Sequence, residues 1–272
     1  MMRDWRTLRN IVFALLLLYA LGLVGLVVFQ RSFLYPGIGG YVSLADAHAP
    51  AALKEITVTT EDGLKIVGWY APATSKKRTL VFFHGNADGL RSVAFVAAPY
   101  IAQGYGFMLA EYRGYSGQPG HPTEQGLYSD ARAFIRYLLA NGVNENELVF
   151  YGHSLGTGVA LQMALEFKGA GLILEAPYLS IAKMGQLRFP MFPAEMLALD
   201  RFESFKKIPS LHMPLLVAHG EWDLVVPFSQ GKALFDLAPQ PKTFLSIPNG
   251  GHSDLSKHGL VDAILIWLEV PR

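Results

Sequence analysis

Glu147-Leu148-Val149-Phe150-Tyr151 runs into Gly152-His153-Ser154-Leu155-Gly156, and Thr157-Gly158-Val159-Ala160-Leu161 runs out of it. The first five residues read as a short buried strand and the last five as the start of a small-residue helix. A G-x-S-x-G turn between a strand and a helix is sharp and strained, and it presents the serine hydroxyl at its apex. Gly152 and Gly156 have a steric task there, since β-carbons at these positions would stand where strand and helix backbones crowd together.

Working outward, apolar runs alternate with helical stretches from Glu55 onward. The runs are Ile56–Val58, Leu64–Trp69, Leu80–Phe83, Phe107–Ala110, Leu148–Tyr151, Leu172–Leu174, Leu215–Ala218 and Phe244–Ile247. From Leu80 they are mostly continuous, which indicates strands covered on both faces, as in a parallel sheet between helices. The first two are more polar and flank Glu61-Asp62-Gly63, so they read as an antiparallel hairpin at an edge. Helices are expected around Leu90–Ala102, Thr123–Leu139, Leu155–Glu166, Ser229–Leu237 and Val261–Glu269. Tyr178 to Met213 fits neither period and contains Phe189-Pro190-Met191-Phe192-Pro193. It is expected to be a short cap over the carboxyl edge of the sheet.

That edge is where an open α/β sheet places its ligands. Strands there end in His84-Gly85-Asn86-Ala87, in the serine turn, in His219-Gly220-Glu221-Trp222-Asp223 and before Pro248-Asn249-Gly250-Gly251-His252. Chain order is therefore Ser154, Asp223, His252, the order that goes with this turn. Serine is a weak nucleophile and needs a base within hydrogen-bond reach. His252 can take its proton near neutral pH and return it to the leaving group. Asp223 would fix the imidazole tautomer and stabilise the imidazolium. The backbone N–H groups of Leu155 and Asn86 are the expected oxyanion donors. Glu175 and Glu221 remain rival acids, and His258 is a rival base. His153 and His219 read as structural, His84 as shaping the oxyanion loop, and Asp254 as a helix cap. Phe189, Met191, Phe192 and Met196 are the candidate substrate-binding residues, with plain packing of the cap as the alternative.

Composition excludes several classes. Lys and Arg number 23 against 22 Asp and Glu, which gives no basic surface for nucleic acid. There is no cysteine, hence no disulfide framework, thiolate metal site or cysteine nucleophile. No clustered His and carboxylate pattern occurs, so neither a metal nor a cofactor is expected.

Ile11–Phe29 is a run of 19 uncharged residues, about 28 Å as a helix, close to the hydrocarbon thickness of a bilayer. It reads as an uncleaved transmembrane anchor. Arg3, Arg6 and Arg9 precede it, whereas only Arg31 follows before Lys54. The positive-inside rule then places residues 1–10 in the cytoplasm and residues 30–272, with the cap at 178–213, outside it at the cell membrane.

Taken together, the chain resembles the α/β-hydrolase superfamily, and within it the small membrane-anchored bud-emergence-type and depalmitoylase-like serine hydrolases. The residues that carry the resemblance are Gln30–Pro36, His84–Ala87, Tyr112–Gly117, Pro122–Leu127, Gly152–Gly156, His219–Asp223 with Val226-Pro227, and Gly250–Asp254. They span nearly all of residues 30–270. The resemblance implies an α/β-hydrolase fold, a mostly parallel sheet flanked by helices, and a serine hydrolase using the three residues above. The animal depalmitoylases attach through lipidated N-terminal cysteines, which this chain lacks, so their substrate does not carry over. The expected activity is hydrolysis of carboxylic esters or thioesters, with a small acyl ester or lipid-like molecule as substrate. A serine peptidase of the same fold, or a silent hydrolase fold serving as a membrane-tethered binding protein, are the alternatives.

Overall fold

Thr79–Phe83, Gly106–Ala110, Leu148–His153, Gly171–Glu175 and Leu215–Gly220 are buried along their whole length, the burial that helices on both faces give a strand. They are β3 to β7 of one eight-stranded sheet, flanked by β1 (Lys54–Thr59), β2 (Lys65–Ala71) and β8 (Lys242–Ile247) in the order β1-β2-β4-β3-β5-β6-β7-β8. β1 pairs antiparallel with β2, and β2 with β4, while every other pairing is parallel. The edge hairpin expected around Glu61-Asp62-Gly63 is therefore present. The computed structural model describes all residues except Met1, Ile38, Ser75, Pro271 and Arg272. The side chains of Met2, Arg3 and Asp4, of which Arg3 enters the orientation argument, also lie outside the description.

The helices are α1 (Met2–Leu34), α2 (Leu90–Val93), α3 (Ala98–Ala102), α4 (Glu124–Ala140), α5 (Gly156–Glu166), α6 (Ile181–Arg188), α7 (Ala194–Leu197), α8 (Ser204–Lys207), α9 (Phe228–Leu237) and α10 (Leu260–Glu269). The expected single helix at Leu90–Ala102 is instead α2, a 3-10 turn and α3. Pro99 sits in the first turn of α3, where its missing N–H costs nothing. One core packs Phe134 of α4 and Val159 of α5 on one face of the sheet, and the other packs Val93 of α2 and Ile264 of α10 on the opposite face.

Chain direction around the sheet reverses at β3: β4 lies on one side of it and β5 on the other. Such a switch point opens a crevice at the strands' carboxyl ends. Phe83 is in register with Gly152, so the loop beginning at His84 and the turn holding Ser154 leave the sheet side by side.

The uncharged run lies inside α1, which extends beyond it at both ends and is long and apolar enough to cross a membrane. Its C-terminal half is joined to the cap. Tyr19 donates its hydroxyl to the Met191 carbonyl at 3.1 Å and stacks on Phe192 with ring centroids 5.2 Å apart. Gly22 lets the Phe192 ring approach to where a β-carbon would be only 3.1 Å away. The Gln30 side chain accepts from the Leu199 N–H at 2.8 Å and donates to the Leu197 carbonyl at 3.3 Å. Arg31 pairs with Asp200 at 2.7 Å. Asp200 also accepts from the N–H of Glu124, whose carboxylate in turn accepts from the N–H groups of Arg201 and Phe202. The Gln30–Pro36 and Pro122–Leu127 motifs are thus the two sides of one clasp around the end of the cap.

Candidate active site

The turn after β5 works only with glycine on both sides. A β-carbon at Gly152 would lie 2.4 Å from the Gly156 carbonyl oxygen, and one at Gly156 would lie 2.0 Å from that of Phe83. Both obstacles are backbone, which cannot swing aside. Between them Ser154 takes φ +50°, the left-handed region that L-residues enter only when their surroundings impose it. The Ser154 N–H donates to the Glu175 carbonyl at 2.9 Å, and the Ser154 carbonyl accepts from the Thr157 hydroxyl at 2.6 Å. The strain is thus held from β6 on one side and α5 on the other.

The loops after β7 and β8 meet by the same device. A β-carbon at Gly220 would stand 2.3 Å from the Gly250 carbonyl oxygen. Without one, the Trp222 N–H reaches that carbonyl at 2.9 Å, and Asp223 comes to face His252. Asp223 Oδ2 lies 2.7 Å from His252 Nδ1, and His252 Nε2 lies 2.9 Å from Ser154 Oγ. A carboxylate only accepts, so the proton belongs on Nδ1 and Nε2 is left free to accept from the serine hydroxyl. Asp223 Oδ1 accepts from the N–H groups of Val225 and Val226, each at 2.8 Å. Burial alone would raise the Asp223 pKa. Hydrogen bonds from His219 and His252 outweigh it and hold the carboxyl well below its usual range. His219, fully buried, donates from Nε2 to the Val226 carbonyl at 2.9 Å and approaches Asp223 at 3.3 Å. Its one Nε2–H is thus placed between the Val226 carbonyl and the acid, a role its position four residues before Asp223 could have suggested.

The rivals are occupied elsewhere. Glu175 accepts from the Tyr151 hydroxyl at 2.5 Å, Glu221 from that of Ser246 at 2.6 Å, and His258 faces Asp254 at 3.7 Å. Asp254 does not cap a helix. Its carboxylate accepts from the Gly251 N–H at 2.7 Å and closes the loop that carries His252.

The loop from His84 to Asp88 lies directly against the serine turn. A β-carbon at Gly85 would be 3.4 Å from Ser154 Cβ and 3.2 Å from His153 Nδ1. Asn86 and Leu155 both line the cavity into which Ser154 opens. Two ion pairs support this loop. Buried His84 donates to the buried Glu111 carboxylate at 2.6 Å. Burial opposes charge on both groups, and their mutual attraction overrides it, raising His84 and lowering Glu111. His153 faces Asp88 at 3.5 Å and donates to the His252 carbonyl at 3.1 Å. Burial lowers its pKa, but Asp88 and Glu175 more than compensate and bring it to about 9, so the ring is a cation at neutral pH. Sequence reading left His153 as merely structural. Its neighbours place it as a strut joining the serine turn, the loop after β3 and the loop bearing His252.

The cavity holds about 720 Å³, within the usual size for a small-molecule site. Its walls are mostly apolar: Ile181, Met184 and Phe189 from the cap, Leu224 and Val225 from the loop after β7, and Tyr178 at the floor. Of the four expected substrate-binding residues only Phe189 is among them. Met191 and Met196 are 79% and 84% exposed on the outside of the cap, and Phe192 is spent on the contact with Tyr19 and Gly22. Both prolines of the 189–193 segment turn the chain there, so only its first aromatic faces inward. The wall that sequence reading missed is α1, which contributes Leu26, Val27, Gln30, Phe33 and Leu34. These five share one helical face, which begins in the uncharged run at Leu26 and Val27 and continues past its end.

Comparison with known proteins agrees with this architecture. Residues 74–205 match the family described as serine aminopeptidase, S33. An uncharacterised protein of Mycobacterium tuberculosis is 35% identical over 245 residues, 88% of this chain and 87% of that protein. Alpha/beta hydrolase domain-containing protein 17B of Homo sapiens is 31% identical over 190 residues, 67% of this chain and 63% of that protein. Among solved structures, an alpha-beta hydrolase from Vibrio vulnificus superposes with a TM-score of 0.72 at 21% identity, covering 88% of this chain and 92% of that one. The Pyrococcus furiosus esterase Pf2001 gives 0.70 at 17%, covering 86% and 96%. The chain belongs to the α/β-hydrolase superfamily.

The contacts of Asp223 and Glu175 give distinct expectations for the two acids. Asp223→Asn should lower kcat on a p-nitrophenyl ester by about 10⁴-fold, since an amide no longer fixes the tautomer. Glu175→Gln should keep most of the activity. A crippled glutamine variant beside an active asparagine variant would mean the acid is misassigned.

Proposed function

We propose that this protein is a membrane-anchored serine hydrolase that cleaves carboxylic esters or thioesters of acyl chains. The observation that carries the reading is the hydrogen-bonded line Ser154–His252–Asp223 opening onto a mostly apolar cavity. Ser154 Oγ attacks the acyl carbonyl carbon while His252 Nε2 takes its proton. Negative charge develops on the carbonyl oxygen, where the Leu155 and Asn86 N–H groups are the proposed donors. The carbon–oxygen or carbon–sulfur bond to the leaving group breaks, and His252 returns the proton to it. Water, activated by the same imidazole, then attacks the acyl-serine. The products are the free acid and the alcohol or thiol, with Ser154 restored. Asp223, kept ionised by the N–H groups of Val225 and Val226 and by His252, stabilises the imidazolium that forms twice in the cycle. Apolar walls suit an acyl chain and offer few partners for the amides of a peptide.

The test is kcat/KM on p-nitrophenyl esters of rising chain length, beside p-nitroanilide peptides. Each buried methylene is worth roughly 0.8 kcal/mol, so the ester series should climb until the cavity is full. Ser154→Ala should lower kcat on the order of a millionfold while leaving the fold intact. The match to a family described as serine aminopeptidase supports a second reading, and efficient anilide cleavage with a flat ester series would favour it. A folded Ser154→Ala protein with parental turnover would end both readings.

We place the N-terminus in the cytoplasm and the hydrolase domain across the membrane, on the strength of Arg6 and Arg9 together with Arg3 ahead of the apolar run. A C-terminal alkaline phosphatase fusion in a bacterial host should be active. An inactive fusion, with a cytoplasm-only reporter active in its place, reverses the orientation.

A further inference from the structure

The half of α1 that meets the cap belongs to the same run that is long enough to span a bilayer. Ile11–Leu18, the part of the uncharged run before the first cap contact, would cover only about 12 Å of helix. That is well short of a hydrocarbon layer about 30 Å thick. The run can fill the layer only if Tyr19–Phe29 lies in it too, and these residues carry the cap. Tyr19 and Gly22 hold Phe192, while Leu26 and Val27 wall the cavity. The cap must then enter the lipid beside the helix.

Its surface is suited to that. Leu187, Met191, Met196 and Leu199 are 58%, 79%, 84% and 57% exposed on the cap. Across the cavity, Leu224 and Val225 are 96% and 60% exposed at its rim. Apolar side chains this exposed, on the outside of the cap and at the rim of the cavity, mark contact with another apolar phase. Lys183 and Glu195 face one another at 3.5 Å, and Arg188 at the cavity rim has the stem length to lift its guanidinium to headgroup level. The remaining charges of the cap are paired, Arg201 and Lys206 with Glu203, Lys207 with Glu124 and Asp200 with Arg31.

We infer that the C-terminal half of the anchor helix is one wall of the acyl site, and that the cavity takes the acyl chain of a lipid ester directly from the adjoining leaflet of the bilayer. This rests on the esterase and membrane readings above. The face made by Leu26, Val27, Gln30, Phe33 and Leu34 guides the chain, while the opposite face, with Val24 and Val28 60% and 64% exposed, meets bulk lipid. Gln30 is the polar group of this wall, and its amide is fixed by the cap at Leu197 and Leu199. The substrate need not cross water, because its acyl chain passes from one apolar phase to another while its ester stops at Ser154.

Full-length Ser154→Ala protein in phosphatidylcholine vesicles, with a phosphatidylcholine carrying a diazirine near the end of one acyl chain, tests the route without turnover. Cross-links at Met184 and Phe189, inside the cavity, are expected. Labelling confined to the outward face at Val24 and Val28 would overturn the inference. A second arm uses active full-length protein on bilayer-borne esters. Val27→Trp should lower kcat/KM for a palmitoyl ester about tenfold more than for a butyryl ester, the loss of roughly two buried methylenes. Val28→Trp should leave the ratio at the parental value. Equal ratios in both variants would count against the anchor as a wall. Cavity labelling without ester cleavage would sink the esterase reading and keep the route. Cleavage without cavity labelling would do the reverse, and leave a substrate delivered from water.

Discussion

No β-carbon fits where β5 becomes α5, and the rest of the site depends on that constraint. The Gly156 position lies against the Phe83 carbonyl, and Gly152 against Gly156 itself. Glycine at both lets the chain reverse so tightly that Ser154 is driven to a positive φ and its hydroxyl leaves the sheet. The same closeness brings the end of β3 beside the turn, so the loop from His84 is delivered to the serine without a long connection. Gly220 repeats the principle at β7 and β8, and Asp223 meets His252 as a result. Three backbone contacts of about van der Waals distance or less, each possible only for glycine, thus align groups from four strand ends. The electrostatic pairs beneath them, His84 with Glu111 and His153 with Asp88, lock a geometry that sterics have already selected.

Much of this was legible in the sequence because it is written in strand ends. Mostly continuous apolar runs located six of the eight strands and a turn signal between two more polar runs located the edge pair, and the residues after Phe83, Tyr151, Ala218 and Ile247 named the acid, base and nucleophile candidates. What these share is local: a strand, a turn residue and a polar group within a few positions. The substrate wall is not local. Phe189, Met191, Phe192 and Met196 look alike in sequence, yet one faces the cavity, one is held by α1, and two point outward. Proline turns and a distant helix decide among them. The stripe Leu26–Val27–Gln30–Phe33–Leu34 was hidden for the opposite reason, since it starts in a run apolar on every side, where no pattern separates a wall from a lipid-facing surface, and crosses the end of that run. His153 read only as structural because its partner Asp88 becomes a neighbour when the loops after β3 and β5 meet, whereas the partner of His219, Asp223, lies four residues on along the same loop.

The long apolar helix and the sheet domain are therefore not independent parts. The clasp of Arg31, Asp200 and Glu124, with Gln30 on the cap and Gly22 under Phe192, makes one unit of helix, cap and sheet. Two motifs far apart in the sequence, Gln30–Pro36 and Pro122–Leu127, gain a common purpose once they are seen to meet at Asp200.

The central claim is that Ser154 is a nucleophile activated by His252, and covalent capture tests it most directly. The full-length protein is treated with a fluorophosphonate probe, digested, and the adduct located by mass spectrometry. A single adduct on Ser154, absent in His252→Ala, is the predicted result. A folded, ester-cleaving protein that takes no probe, or takes it at another residue while Ser154 stays unmodified, would contradict the account.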